Sequence, residues 1–312
     1  MMKIAIIGSG AMGSLYGGML SLSGQDVMLF DVFEEHVEKV QKDGLVIEDS
    51  ATGGAVTARP EASSDPASVQ GADVFIVFVK STATEQAAAR FKEHAEPGTI
   101  VLTLQNGLGN EAIIRKHFGA ARTAAGVTSQ GATFLGPGRI RHAGKGPTHM
   151  SMADGDNGKL APLAAALNAA GFETHVETDV AGLVWSKLVI NVGINALTAL
   201  TGQPNGALLR HEETKAVMAD LVAEAVAVAK ARGIQFTYAD PLATVYDVAE
   251  KTGANRSSML QDFDRKRESE IDFMNGAIVR EAAGVGVPTP VNETITRLVK
   301  AMDRIHAERP AG

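Results

Sequence analysis

The chain has no cysteine among its 312 residues, so disulfides, thiolate metal sites and cysteine nucleophiles are all excluded. Basic residues are in deficit: 29 Lys and Arg stand against 36 Asp and Glu, a formal net charge of −7. A nucleic-acid partner needs Lys and Arg gathered on one face. The densest basic cluster, Arg265-Lys266-Arg267, is instead interleaved with Asp262, Asp264, Glu268 and Glu270, which reads as a solvated helical face. The expected ligand is therefore small. The eight histidines show no ligand spacing, and no metal site is expected. Long uninterrupted apolar runs are also missing. The richest stretch, Val180 to Leu200, carries Lys187, Asn191 and Asn195, whose burial in lipid without partners is costly, so no membrane span is expected. Nothing ahead of the first strand resembles a charged n-region, apolar h-region and cleavage site, and a cytoplasmic location is the expectation.

What is present is the composition of a globular enzyme, 45% hydrophobic and 21% charged, at a length that fits two domains. The chain opens on a short apolar strand, Lys3–Ile7, that runs straight into Gly8-Ser9-Gly10-Ala11-Met12-Gly13. This is G-x-G-x-x-G. The first glycine permits a tight turn, the second lets backbone approach a pyrophosphate, and the third lets the following helix pack close to the strand. A helix N-terminus then faces the anion with unpaired N–H groups and a positive dipole end. Context strengthens the motif, because a helix-compatible run, Ala11 to Ser23, and a second strand, Asp26 to Phe30, ending at Asp31 follow it. Gly8, Ser9, Gly10, Ala11, Met12 and Gly13 are thus the expected dinucleotide loop.

Further strands are read at Asp73–Val79 and Thr99–Leu104, with helices between most of them, which is βαβ order. Gly44 to Ala58 reads as a β-hairpin around Gly53-Gly54. Thr123 to Met152, rich in Gly and Thr, reads as antiparallel strands added to the sheet edge. Beyond about Asp179 helical periodicity takes over, with breaks at Gly202-Gln203-Pro204, Arg232-Gly233 and Val287–Pro290. The expected fold is α/β: a Rossmann-like mixed sheet with helices on both faces (1–178, dinucleotide-binding), then an all-α domain (179–312, substrate-binding). Substrate is expected in a cleft where the two meet.

Three segments carry candidate chemistry. Lys187, Asn191 and Asn195 stand at i, i+4 and i+8, so on an α-helix they drift only about 40° per step and share one face. In an otherwise apolar helix they form either a polar patch for a substrate or an interhelical network that fixes register. Gln105-Asn106-Gly107 follows a strand, where doubly wound sheets place ligand loops, and is also a common turn sequence. Asn255 to Asp262 with Ser269–Asp272 supplies hydroxyls, amides and carboxylates. Ser257 or Ser258 there fits a helix cap equally well, and Glu270 a first-turn acid.

Taken together, the G-x-G-x-x-G start, Val79-Lys80, Gln105-Asn106-Gly107, the K-x3-N-x3-N of Lys187–Asn195 and the S-S-M-L-Q-D…E-I-D-x-x-N-G of Ser257–Gly276 resemble the 2-dehydropantoate 2-reductase (ketopantoate reductase) family. The resemblance spans essentially the whole chain. It implies hydride transfer from a reduced nicotinamide to the ketone carbon of a 2-keto acid, foremost 2-dehydropantoate giving pantoate in pantothenate synthesis. Lys187 then matches the general acid and Glu270 its acidic partner. Asn191, Asn195 and Asn205 match residues on the substrate's carbonyl and hydroxyl groups, Asn255 and Ser258 those at its carboxylate, and Asn106 a residue beside nicotinamide and substrate. Lys80 matches a lysine that helps hold the 2′-phosphate of NADPH.

One position departs from the family pattern. Where well-studied members carry an arginine for that phosphate, this chain has Asp31, which suits the ribose hydroxyls of NAD(H) and repels a phosphate. NAD(H) is therefore expected over NADP(H), although Asp31-Val32-Phe33-Glu34 also fits a capping box. Other readings stay open: a related NAD-linked dehydrogenase of another branched, aromatic or sugar-derived 2-keto acid, or a dinucleotide sensor without catalysis. The Ala- and Val-rich Met218–Ala231 stretch fits core packing and also a homodimer surface.

Overall fold

Lys3–Ile7 (β1) and Asp26–Phe30 (β2) pair in parallel, Lys3 beside Asp26 and Ile7 beside Phe30, with Ala11–Leu22 (α1) as the crossover between them. The computed structural model describes residues 1–308, in two compact units: 1–105 with 110–180, and 106–109 with the chain from Ala181 onward. In the first unit Glu34–Asp43 (α2) leads to an antiparallel pair, Leu45–Asp49 (β3) and Ala55–Ala58 (β4). The chain returns to the first sheet with Glu61–Ser63 (β5), Val74–Val77 (β6), Ile100–Thr103 (β7) and Thr123–Thr128 (β8), with Thr84–Phe91 (α3) and Asn110–Phe118 (α4) between the last three. Gly131–Gly136 (β9), Arg139–Gly144 (β10), Thr148–Met152 (β11), Ala161–Ala169 (α5) and Thr174–Val176 (β12) complete the unit. The large sheet runs β12-β11-β8-β7-β6-β1-β2-β5 and is parallel except between β11 and β8.

Strand alternation fills both faces of this sheet. Ile4 and Ile6 join Leu15 and Leu20 of α1 and Leu163 and Leu167 of α5 in one core. Ala5 and Ile7 join Phe75, Phe91, Ile114 and Phe118 in another, against α3 and α4. The mixed sheet with helices on both faces is as the sequence predicts. One part differs. Of the strands expected at the sheet edge from Thr123 to Met152, β8 and β11 do pair there, but β9 and β10 leave to form a second sheet, β4-β3-β10-β9. The cause is the outer side of α1: Gly18 has no side chain, so Leu45 and Ile47 of β3 settle against it, and Ile140 of β10 buries beside them.

The second unit is helical: Ala181–Thr201 (α6), Glu212–Ala231 (α7), Pro241–Lys251 (α8), Ser258–Asp264 (α9), Asn275–Ala283 (α10) and Pro290–Glu308 (α11). The breaks at Gly202, Arg232-Gly233 and Pro290 fall where expected. α6 is the core helix, its Trp185, Leu188, Val189 and Val192 buried against Met218, Leu221, Val245 and Ile278. It is also the one helix among those described that is long and apolar enough to cross a membrane, yet 67% of that stretch is buried inside the protein. Arg265-Lys266-Arg267 is not on a helical face as predicted. α9 stops at Asp264, and the three form an exposed turn in which Lys266 takes φ 52°. The turn closes on the Asp262 carbonyl and sends Ser269 to Asp303, whose carboxylate accepts the Ser269 N–H at 3.2 Å and hydroxyl at 2.7 Å.

Candidate active site

Chain order reverses beside β1, which has β2 on one side and β6 on the other, and the loops after these strands share one end of the parallel sheet. That switch point is where open parallel sheets bind ligands. Gly8 follows β1 at φ 95°, and a Cβ on it would stand 2.7 Å from the Val79 nitrogen after β6. A Cβ on Gly13 would stand 2.0 Å from the Gly8 carbonyl oxygen. Gly10 is different: nothing lies within 4 Å of its Cβ position, and it is exposed. It is the N-cap of α1, with no side-chain cap and no acidic residue in the first turn. The first-turn N–H groups, which lack helical acceptors, therefore sit behind an open cradle that fits a pyrophosphate, with no acidic side chain in the turn itself.

Asp31 closes one side of the loop. Its Oδ2 accepts the Ser9 N–H at 2.6 Å and the Ser9 hydroxyl at 3.3 Å, while Oδ1 accepts the Phe33 N–H at 3.0 Å. It does not form the capping box, since α2 starts at Glu34 with Phe33 as N-cap and no side-chain cap bond. Lys80 lies half-buried after β6, at the N-cap of the 3-10 turn Ser81–Ala83. A polar brace that sequence reasoning missed supports this end of the sheet. Gln105 donates to the Val79 carbonyl at 2.7 Å and to Thr84 Oγ1 at 2.8 Å, and Thr84 donates to Asn110 Oδ1 at 2.9 Å. The signal was there in the polar residues at the carboxyl ends of neighbouring strands.

The other expected residues lie in the helical unit. On α6, Lys187 and Asn191 are half-buried and Asn195 is buried. Burial without solvation penalises the ammonium and pulls the Lys187 pKa down from 10.5 to about 8. Asn195 donates to Met274 Sδ at 3.4 Å, which ties the polar face of α6 to the short 3-10 turn Ile271–Phe273 that Glu270 precedes. Glu270 is half-buried and makes no capping hydrogen bond. Asn106 belongs to this unit too. Gly107 takes φ 85°, a Cβ on it would lie 2.3 Å from the Phe273 carbonyl oxygen, and that oxygen accepts the Leu108 N–H at 2.8 Å. Gly107→Ala adds left-handed strain to a clash with fixed backbone, together about 3 kcal/mol. A fall in Tm of roughly 10 °C in thermal unfolding is the expected result.

Asn205 is buried, its N–H on the Asn255 carbonyl at 3.0 Å and its Nδ2 on Thr252 Oγ1 at 2.8 Å, while its Oδ1 has no partner. Asn255 and Ser258 are exposed. Ser257, not Ser258, caps α9 by accepting the Leu260 N–H, and it meets Thr198 of α6 at 2.6 Å. Residues outside the Lys187–Asn195 stripe thus also hold the register of α6, beside the Asn195–Met274 bond. Asn275 adds to this, donating to the Val192 carbonyl at 3.3 Å and to Asn292 at 3.0 Å, and Asn292 in turn donates to Glu224 at 2.7 Å. Among the described residues no group of three or more His, Asp or Glu converges to hold a metal ion.

Residues 4–155 match the family model described as ketopantoate reductase PanE/ApbA, and residues 179–303 match the model of its C-terminal part. The chain is similar to the 2-dehydropantoate 2-reductase of Halobacterium salinarum, 37% identical over 304 residues that cover 97% of this chain and 99% of that one. It is similar to that of Pyrococcus horikoshii, 34% identical over 307 residues, 97% and 98% of the two chains. Among solved structures, a PanE/ApbA family ketopantoate reductase from Ralstonia eutropha superposes with a TM-score of 0.90 at 36% identity, over 98% of this chain and 100% of that one. D-mandelate dehydrogenase, in a ternary structure with NADH and anilino(oxo)acetate, superposes with a TM-score of 0.89 at 30% identity, over 98% and 100% of the two chains. With models matched along both units and relatives aligned nearly end to end, the chain belongs to the ketopantoate reductase family.

Proposed function

We propose that this protein is a nicotinamide-dependent oxidoreductase that reduces 2-dehydropantoate to pantoate, with residues 1–178 binding the dinucleotide and the helical remainder binding the 2-keto acid. A bound reduced nicotinamide supplies the hydride. The loop Gly8 to Gly13 holds its pyrophosphate with the N–H groups from Gly10 onward, those of Gly8 and Ser9 being taken by the Phe30 carbonyl and Asp31, and Asp31 selects an unphosphorylated ribose, so that NAD(H) is preferred although Lys80, after β6, is a phosphate-compatible cation. The observation that carries the reading is Lys187, half-buried on α6 with a pKa near 8. An ammonium of that acidity stabilises the negative charge that grows on the keto oxygen and then gives up its proton there. Glu270 orients the lysine or a substrate hydroxyl, and Asn106, Asn191, Asn195, Asn205, Asn255 and Ser258 hold the substrate's polar groups.

A second reading has its own support, since D-mandelate dehydrogenase with NADH is as similar in fold as the reductases. On that reading the substrate is an aromatic or branched 2-keto acid. Steady-state kcat/KM for 2-dehydropantoate and a panel of aromatic and branched 2-keto acids, with NADH and NADPH and in both directions, separates the two. Highest turnover on 2-dehydropantoate with NADH is expected. Absence of turnover on every 2-keto acid sinks both.

A further inference from the structure

The Ser9 backbone is gripped from two sides, at the peptide before it and the peptide after it, and only one grip belongs to a residue already given a role. Asp31 takes its N–H at 2.6 Å. Its carbonyl accepts from Ser14 Oγ at 2.7 Å, and Ser14 Oγ lies 3.2 Å from His36 Nε2. The other ring nitrogen, Nδ1, accepts the Gly138 N–H at 3.0 Å, which leaves the ring proton on Nε2 and makes it the donor to Ser14. The relay therefore runs one way, from Gly138 through His36 and Ser14 to Ser9. Ser9, Ser14 and His36 are each no more than 1% exposed, so none of these bonds has water as an alternative.

A trans peptide points its N–H opposite to its C=O, and among the described residues no peptide bond is cis. Because Ser14 turns the Ser9 carbonyl inward, the Gly10 N–H of the same peptide unit is turned outward, into the one position of the loop that is open. We propose that His36 and Ser14 are positioning residues for dinucleotide binding: their relay aims the Gly10 N–H at the pyrophosphate and ties the glycine loop to the second sheet. This rests on the reading of the loop as a dinucleotide site. A pyrophosphate is common to both cofactors, so the relay sets affinity for NADH and NADPH alike, whereas Asp31 sets the choice between them.

Protonation breaks the relay. An imidazolium carries N–H on both nitrogens, and Nδ1–H would then face Gly138 N–H. Ser14 of α1 and Phe134 of β9 bring no charge to the ring, Asp31 is the charged group that acts on it, and Lys39 on the same helix is turned to Asp43. Burial dominates and holds His36 below the ordinary histidine range.

The test is the Kd of NADH and NADPH, read by quenching or cofactor fluorescence, for the unaltered protein and Ser14→Ala. Ser14→Ala is expected to weaken both by the same factor, roughly tenfold, and the loss to appear in KM for each dinucleotide more than in kcat. In the unaltered protein, Kd for NADH is expected to rise as pH falls through the His36 pKa, on the acid side of the ordinary histidine range, and Ser14→Ala to lose most of that rise. Equal affinities in the two proteins, within about twofold, overturn the inference while leaving the dinucleotide site standing. If the unaltered protein binds neither cofactor, the functional reading fails first and the inference with it. If Ser14→Ala does not fold, an NADH Kd in the unaltered protein that stays flat across the pH range in which NMR shows His36 taking up its proton overturns it.

Discussion

Lys187→Ala is expected to lower kcat for 2-keto acid reduction about a thousandfold, a general-acid contribution, while Kd for NADH changes by less than about threefold. The reason lies in where the ammonium sits. Lys187 is half-buried on α6, and burial brings its pKa down to about 8. The sign of the pH dependence follows. With Lys187 as the proposed acid, reduction needs its protonated form, so kcat/KM is expected to be level below about pH 8 and to fall above it. Oxidation of the hydroxy acid needs the free amine and shows the opposite limb. Lys187→Arg keeps a charge but cannot release a proton in this range, so a small residual rate without the inflection near pH 8 is expected. Lys187→Met keeps the length of the stem without the charge and is the control for folding. The folded-state pKa lies below the ordinary lysine value, so charging Lys187 disfavours the native state below about pH 8 and this penalty fades as pH rises toward 10.5. Lys187→Met is therefore expected to unfold no lower in temperature than the unaltered chain. A dinucleotide sensor would show little change in any of these rates, and full activity in Lys187→Ala would decide for some other acid.

Asp31→Arg is expected to shift the ratio of kcat/KM for NADH over NADPH by at least about a hundredfold toward NADPH. A carboxylate and a phosphate held about 5 Å apart repel by roughly 3 kcal/mol at an effective dielectric of 20, and an arginine reverses that sign. The exchange also removes the acceptor for the Ser9 N–H, so NADH affinity falls in absolute terms as well. Asp31→Asn separates the two contributions. It keeps an oxygen for Ser9 and loses the charge, so discrimination weakens while loop geometry persists. Steady-state kinetics with both cofactors on the three proteins measures it, and a preference of the unaltered chain for NADPH above about tenfold refutes the assignment of Asp31 as an NAD selector.

Periodic patterns made much of this architecture legible from sequence. Lys3–Ile7 and Asp26–Phe30 have the predicted ends because each strand is bounded by glycine or acid and fills a two-sided core. The helical unit shows through Gly202, Gly233 and Pro290 for the same local reason. What was not legible depended on distant partners. No local pattern tells β9 and β10 to leave the large sheet, since their choice rests on the bare side of α1 at Gly18. Ser257 and Ser258 are equivalent as letters, and only the register of Thr198 on α6 assigns the buried cap to the first. The sequence left Asp31 a capping box as its alternative role, and only the bond from Ser9, 22 positions away, removes it. His36 and Ser14 gave no signal at all, because their partnership joins two helices and a turn more than a hundred residues later.

The excursion of Asn106–Gly109 means that the two units cannot be separated by a single cut. A fragment begun at Ala181 would carry all of α6 to α11 yet lack the tetrapeptide whose Leu108 N–H satisfies the Phe273 carbonyl, three residues beyond Glu270. Gene fusion, circular permutation or grafting of the helical half onto another scaffold must therefore bring a second, non-contiguous splice with it.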